Sequence, residues 1–211
     1  MSHPSTFELL ALHALRLRGM AEAEAVAQRF GLDPAATEEF LRDAEARGWT
    51  QHATFAGTGG WFLTDRGRAE NEHQLKAELA ATGRESDVWA AYHEFLPLNA
   101  RLLKACTDWQ LTPAADGRLL PNEHTDPARD AGVLQELGRL AQELAPLAGK
   151  LSSVLARFQG YDTRFAEALA RARAGQHEWV DHTDVGSCHR VWFELHEDLV
   201  ASLGIDRATQ P

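Results

Sequence analysis

Ten histidines in 211 residues, several beside carboxylates, are the side chains of this chain best suited to chemistry. His124-Thr125-Asp126 and His182-Thr183-Asp184 repeat one triplet within two irregular stretches. His189 and His196 stand seven residues apart, with Trp192 between them and Glu194, Glu197 and Asp198 close by. Asn99, Cys106, Asp108 and Trp109 interrupt an otherwise apolar pattern. Imidazole and carboxylate oxygen are the usual ligands of divalent transition metals. Yet there is no HExxH pair and no compact Cys/His cluster, and His189 and His196 stand about 10.5 Å apart along a helix rising ~1.5 Å per residue. No metal site is expected. A small-molecule pocket, mostly apolar with a few polar anchors, fits the residue types better. Its candidate lining is Asn99, Asp108, Trp109, Asn122, His124, Asp126, His189 and Trp192. The competing reading makes the two triplets capping and turn residues, which Thr and Asp ahead of helices commonly are.

No Gly-rich phosphate loop, strand–helix alternation or GxSxG turn occurs, so the enzyme classes built on them are disfavoured. No catalytic residue is assigned and no cofactor is implied.

The elements that must position these groups are helical. From Ser86, SDVWAAYHEFLPLNARLLKACTDWQL places Val88, Trp89, Tyr92, Phe95, Leu96, Leu102, Leu103 and Cys106 on an inner face. Pro97 is predicted to kink this helix or divide it. Residues 111–130, LTPAADGRLLPNEHTDPARD, read as a long loop, a length that is often functional. A helix is predicted over 131–158 with leucines at three- to four-residue spacing and a bend at Pro146. Gly160-Tyr161-Asp162 then turns the chain into a helix over 163–174. After the irregular QHEWVDHTDVGS comes a final helix over 188–203. Such amphipathic segments pack as an α-helical bundle.

The first 84 residues read differently. Ser5-Thr6-Phe7-Glu8 is a capping box ahead of a helix reaching Leu17. A second helix is predicted over 21–30. Ala27-x-x-x-Gly31 gives a close helix crossing and a tight turn. Asp33 as N-cap and Pro34 as first helical residue open a third helix, which Gly48 stops. The β-prone runs Trp49–Phe55 and Trp61–Thr64, separated by Ala56-Gly57-Thr58-Gly59-Gly60, form a hairpin. A further helix over 66–81 carries Ala69, His73, Lys76 and Ala80 at helical spacing. Helix, turn, helix and two-stranded wing is the order of a winged helix-turn-helix.

GLDPAATEEFLRDAEARGW, the hairpin and Leu63-Thr64-Asp65-Arg66-Gly67-Arg68 resemble the winged-helix module of MarR-like bacterial regulators over about a third of the chain. In that family a Gly-Leu-x-Pro turn opens the recognition helix, and a Leu-Thr-x-x-Gly-Arg segment leads out of the wing. The resemblance implies contact with double-stranded DNA through Ala35, Ala36, Thr37, Glu39, Arg42, Arg66 and Arg68. The chain departs from the pattern by carrying Glu38 and Glu39 where such helices usually present Ser, Thr, Arg, Gln or Asn to bases and phosphates. A carboxylate facing DNA is repelled unless it accepts from a cytosine amino group.

Net charge is −10. The first 84 residues hold nine Lys/Arg against twelve Asp/Glu, and the remainder is more acidic still. Phosphate contacts come mainly from Lys and Arg, so the front segment is only the less acidic half. Two distant cysteines, Cys106 and Cys188, read as reduced thiols in a cytoplasmic protein. No membrane span is expected. The fold expected is mainly α: an N-terminal winged helix-turn-helix with a small β-hairpin over 1–83, linker helix included, and a C-terminal α-helical bundle over 84–211 for effector binding and dimerisation. The expected function is a homodimeric transcription regulator that binds DNA and responds to a small-molecule effector. The alternative is a winged-helix adaptor that docks another protein through Glu38, Glu39 and Asp43.

Overall fold

Capping and turn residues set most element boundaries in the computed structural model, which describes residues 2–55, 58–114 and 116–205. The protein is mainly helical, with nine α-helices and two small antiparallel sheets among these residues. They fall into two compact units, one of residues 2–85, 153–157 and 197–205, the other of 86–152 and 158–196.

In the first unit, α1 (Phe7–Arg18) is capped by Thr6, whose Oγ1 accepts the Leu9 N–H at 3.3 Å. The expected cap was Ser5. With Thr6 in that role the third helical position falls on Leu9, and no capping box with Glu8 forms. β1 (Met20–Ala21) precedes α2 (Ala23–Phe30), which starts later than predicted because Met20 and Ala21 pair with Phe62 and Trp61. Gly31 ends α2 in the left-handed conformation, φ 66°, its N–H donating to the Ala27 carbonyl. In α3 (Pro34–Ala46) Asp33 accepts the Ala36 N–H at 2.8 Å. β2 (Thr50–Phe55) and β3 (Thr58–Leu63) form a hairpin in a sheet ordered β1-β3-β2. Ala56 and Gly57 of the predicted tip lie outside the described residues; Thr58, Gly59 and Gly60 belong to β3. Leu15, Val26, Leu41 and Trp61 close one core between these elements.

The Leu63–Arg68 run has a clear local logic. Thr64 Oγ1 donates to the Gly48 carbonyl at 2.6 Å and accepts the Gly67 N–H at 3.0 Å, capping α4 (Asp65–Thr82). A Cβ on Gly67 would lie 1.8 Å from the Trp49 carbonyl oxygen, so only glycine fits there. α4 covers the helix expected over 66–81; Ala69, His73, Lys76 and Ala80 lie on its exposed side, and it buries Asn71, Leu75, Glu78 and Leu79.

Two of those four are polar because they join a buried network. Arg157 donates through Nε to Glu78 at 3.0 Å, through Nη2 to Ser202 at 2.7 Å, and through Nη1 to Asp198. His13 stands with Nε2 3.0 Å from Asp198 and Nδ1 3.3 Å from Asn71. Burial pushes the His13 imidazole below its ordinary pKa against the pull of Asp198. Burial would raise the Asp198 carboxyl, but Arg157 and then His13 outweigh it and hold the group below the usual carboxylate range. A buried carboxylate survives only with such partners.

The second unit is built on α5 (Glu85–Gln110), α6 (Pro127–Val154), α7 (Tyr161–Arg173), the short α8 (Glu178–Asp181) and residues 188–196 of α9 (Cys188–Leu203), the end of which belongs to the first unit. α5 continues through Pro97 and α6 through Pro146. Both prolines are exposed, so the carbonyl each leaves without a helical donor can face water. Leu96 and Leu103, expected inside, are 39% and 50% exposed, and Ala91, Leu98, Ala105 and Trp109 take the inner face. The predicted 111–130 loop is in part a hairpin, β4 (Leu111–Pro113) with β5 (Leu119–Pro121). α6 starts earlier than predicted because Asp126 caps it, accepting the Ala128 N–H at 3.0 Å ahead of Pro127. It also ends earlier, and Ala156–Phe158 is a separate 3-10 turn. Phe95, Phe165 and Trp192 form the aromatic centre, with Trp192 5.2 Å from Phe95 and 5.5 Å from Phe165. No helix among the described residues is long and apolar enough to cross a membrane.

Candidate functional site

Two places gather the residues that the sequence singles out, one in each unit. In the first unit, the Asp33-Pro34 start turns the first residues of α3 outward, so Ala35, Ala36, Glu39 and Arg42 are exposed, as are Arg66 and Arg68 in the first turn of α4. Thr37 is fully buried and donates to the Asp33 carbonyl at 2.8 Å, which removes it from the set able to reach a partner. Arg42 is engaged by Glu38, Nη2 to Oε1 2.9 Å, and the other Glu38 oxygen accepts the Trp61 indole N–H at 3.3 Å. Glu45 accepts the His52 N–H at 3.2 Å. The outward face of α3 thus offers small side chains near its start, carboxylates at Glu39, Asp43 and Glu45, and a cation already paired within the helix.

In the second unit, Trp109, Asn122 and His124 come together at the C-terminal end of α5. The chain leaves that helix into the β4–β5 hairpin, and the hairpin's exit folds back to satisfy the helix-end carbonyls. Asn122 Nδ2 donates to the Trp109 carbonyl at 2.9 Å and the Asn122 N–H to the Gln110 carbonyl at 2.8 Å. Arg129 Nη2 donates to the Asp108 and Leu111 carbonyls at 3.1 and 2.7 Å. A helix end leaves such groups without partners, and here polar side chains supply them.

His124 is held in the left-handed conformation, φ 53°, by its N–H donating to Asn122 Oδ1 at 3.2 Å and by Nδ1 lying 3.0 Å from Asp130 Oδ2. Non-glycine residues rarely adopt this backbone, and they concentrate at functional positions. With Nδ1–H donating to the carboxylate, Nε2 is left as an acceptor. The ring lies 4.4 Å from Trp109 and 4.9 Å from His177, centroid to centroid. The result is a half-buried imidazole of fixed orientation among aromatic rings, able to accept a hydrogen bond from a polar ligand.

The remaining predicted residues lie elsewhere. Asp126 is the cap of α6 and Asp108 pairs with Lys104 at 2.5 Å. Asn99 accepts the indole N–H of buried Trp192 at 3.1 Å, which ties both into the packing of α5 on α9, and His189 is half-buried on α9. The His182–Asp184 triplet is exposed, its pair 3.8 Å apart. Sequence reasoning missed Arg129, Asp130 and His177. Asp130 follows the Asp126 cap by one helical turn, a spacing readable in the sequence; His177 carries no such signal. Cys106 and Cys188 are reduced and buried, and burial pushes both thiols up to about 12, with Asp181 adding to the effect at Cys106 and Cys106 adding to it at Cys188. Among the described residues no group of three His, Cys, Asp or Glu side chains is placed to hold a metal ion. Comparison of the chain with protein families, with curated proteins and with solved structures finds no match.

Proposed function

We propose that the first unit is a winged helix-turn-helix and that the protein is a regulator of transcription acting on double-stranded DNA. The observation that carries this reading is the exposed N-terminal half of α3, presented by the α2–Gly31–α3 turn and followed directly by the β2–β3 hairpin. Ala35 and Ala36 at its start are small enough to allow close approach to a groove, and Arg42, Arg66 and Arg68 are the exposed cations within reach of phosphates. The fixed His124 imidazole over Trp109 supports binding of a small effector in the second unit. Such an effector regulates only by binding one of two states more tightly.

An adaptor is the second reading, favoured by the Arg42–Glu38 pair and the uncompensated Glu39, Asp43 and Glu45. Here α3 docks a basic partner protein. Fluorescence anisotropy with labelled duplex at about 50 mM salt, where phosphate contacts are strong, separates the two. On the DNA reading, wild type binds, Arg42→Ala weakens binding, and Glu39→Gln strengthens it by relieving repulsion. If no duplex is retained by wild type or by Glu39→Gln, the DNA reading fails and the adaptor reading stands.

A further inference from the structure

A groove of about 520 Å³ runs between the last turns of α5 and the first turns of α6, wholly within the second unit. Its floor is Ala105, Gly132 and Val133, with Arg101, Lys104 and Arg129 among its walls. A Cβ on Gly132 would meet nothing within 4 Å, so this glycine answers no packing demand and leaves the floor open.

The three cations are not equivalent. Arg101 is engaged by Glu136 and Glu143, each at 2.7 Å, and Lys104 by Asp108. Arg129 gives Nη2 to two main-chain carbonyls and has no carboxylate partner among the described residues. Its Nε–H is shut off from solvent and has no acceptor among the described residues. The charge of Arg129, not that enclosed N–H, is what it offers to the groove. Arg101 and Lys104 are thus matched by Glu136, Glu143 and Asp108, which leaves Arg129 as the cation of the lining without a carboxylate. One such charge suits a monoanion; a dianion would meet repulsion from the neighbouring carboxylates. The volume lies in the range of small-ligand sites, and the small apolar floor suits an aliphatic body.

We propose that this groove binds a small organic monocarboxylate, its carboxylate on Arg129 and its apolar body over Ala105, Gly132 and Val133. The site is separate from the His124 assembly, and its occupancy does not depend on whether the first unit binds DNA.

The test is an NMR titration of the full-length ¹⁵N-labelled protein with sodium butyrate, reading the Arg129 Nε–H and Gly132 amide resonances. Arg129→Lys, which lacks Nε–H, assigns the former. Sodium chloride and sodium phosphate at matched ionic strength are the controls. The expected result is a saturable butyrate shift on both resonances that neither control reproduces and that weakens at least tenfold in Gly132→Leu, which fills the floor. Lys104→Glu, at an exposed position, puts a further carboxylate in the groove wall against that of the ligand and gives the same loss should Gly132→Leu fail to fold. No saturable shift, an equal shift with chloride or phosphate, or butyrate binding unchanged in the folded variants overturns the proposal.

Discussion

Replacing Arg157 by Met probes the buried network of the first unit directly. The guanidinium, in a residue only 4% exposed, is the cation that faces Glu78, Asp198 and Ser202. Methionine keeps an unbranched apolar stem and removes the charge, leaving two buried carboxylates. Breaking a buried pair from one side costs about 3–5 kcal/mol, a large share of the ~5–15 kcal/mol that holds a typical domain folded. His13 makes this loss depend on pH. In wild type, burial holds its imidazole low, so folding favours the neutral ring. That contribution is full above the unfolded value of ~6.5 and is lost as pH falls toward the folded value. In the variant, His13 is the group 3.0 Å from an Asp198 that has lost its guanidinium, and its pKa rises. A smaller depression of that pKa means that less stability is lost as pH falls below ~6.5 than in wild type. The deficit of Arg157→Met therefore narrows on acidification, by up to ~1.4 kcal/mol per pH unit for one proton. Urea unfolding followed by tryptophan fluorescence at pH 8 and pH 5.5 measures it. A deficit of about 3–5 kcal/mol at pH 8 that shrinks by more than ~1 kcal/mol at pH 5.5 is expected. A deficit below ~1 kcal/mol at pH 8, or one equal at both pH values, refutes the assignment.

Other perturbations follow from single positions. Asp33→Ala removes the cap on α3 and should cost about 1 kcal/mol in thermal or urea unfolding, whereas Asp33→Asn should cost much less. Gly67→Ala drives a Cβ onto the Trp49 carbonyl and should destabilise by about 3 kcal/mol or more, at or beyond the top of the usual overpacking cost. Gly132→Ala, a helical glycine with open space above it, should instead stabilise by about 0.5–1 kcal/mol in the same assay. Cys106 and Cys188, with thiols pushed up to about 12, should react with a thiol reagent at pH 8 only once denaturant opens the fold; fast labelling of the folded protein would contradict their burial.

Boundaries were legible where a side chain acts on its own backbone. Asp33-Pro34 opens α3, Gly31 closes α2, and α9 begins at Cys188 as its apolar spacing suggests. The same Asp-Pro signal at Asp126-Pro127 was readable as a helix start but lay inside a stretch that composition marked as loop. Burial is not legible where the inner face is polar. Asn71 and Glu78 break the apolar stripe of α4, and their partners His13 and Arg157 stand 58 and 79 residues away in the chain. Long-range partners of that kind leave no periodic trace. The candidate site divides in the same way. Residue type alone marks Trp109, Asn122 and His124, while the left-handed backbone at His124 and the contribution of His177 depend on chain folding that spacing alone does not encode.

The proposed reading of duplex DNA by α3 can be decided by selection of bound sequences from a random duplex pool at low salt, with Arg42→Ala in parallel. The expected result is enrichment of one motif, as a pair of inverted half-sites ~10–10.5 base pairs apart or a multiple of that if a dimer binds, and loss of that enrichment in Arg42→Ala. No enrichment in wild type, or the same motif at undiminished strength in Arg42→Ala, would contradict it.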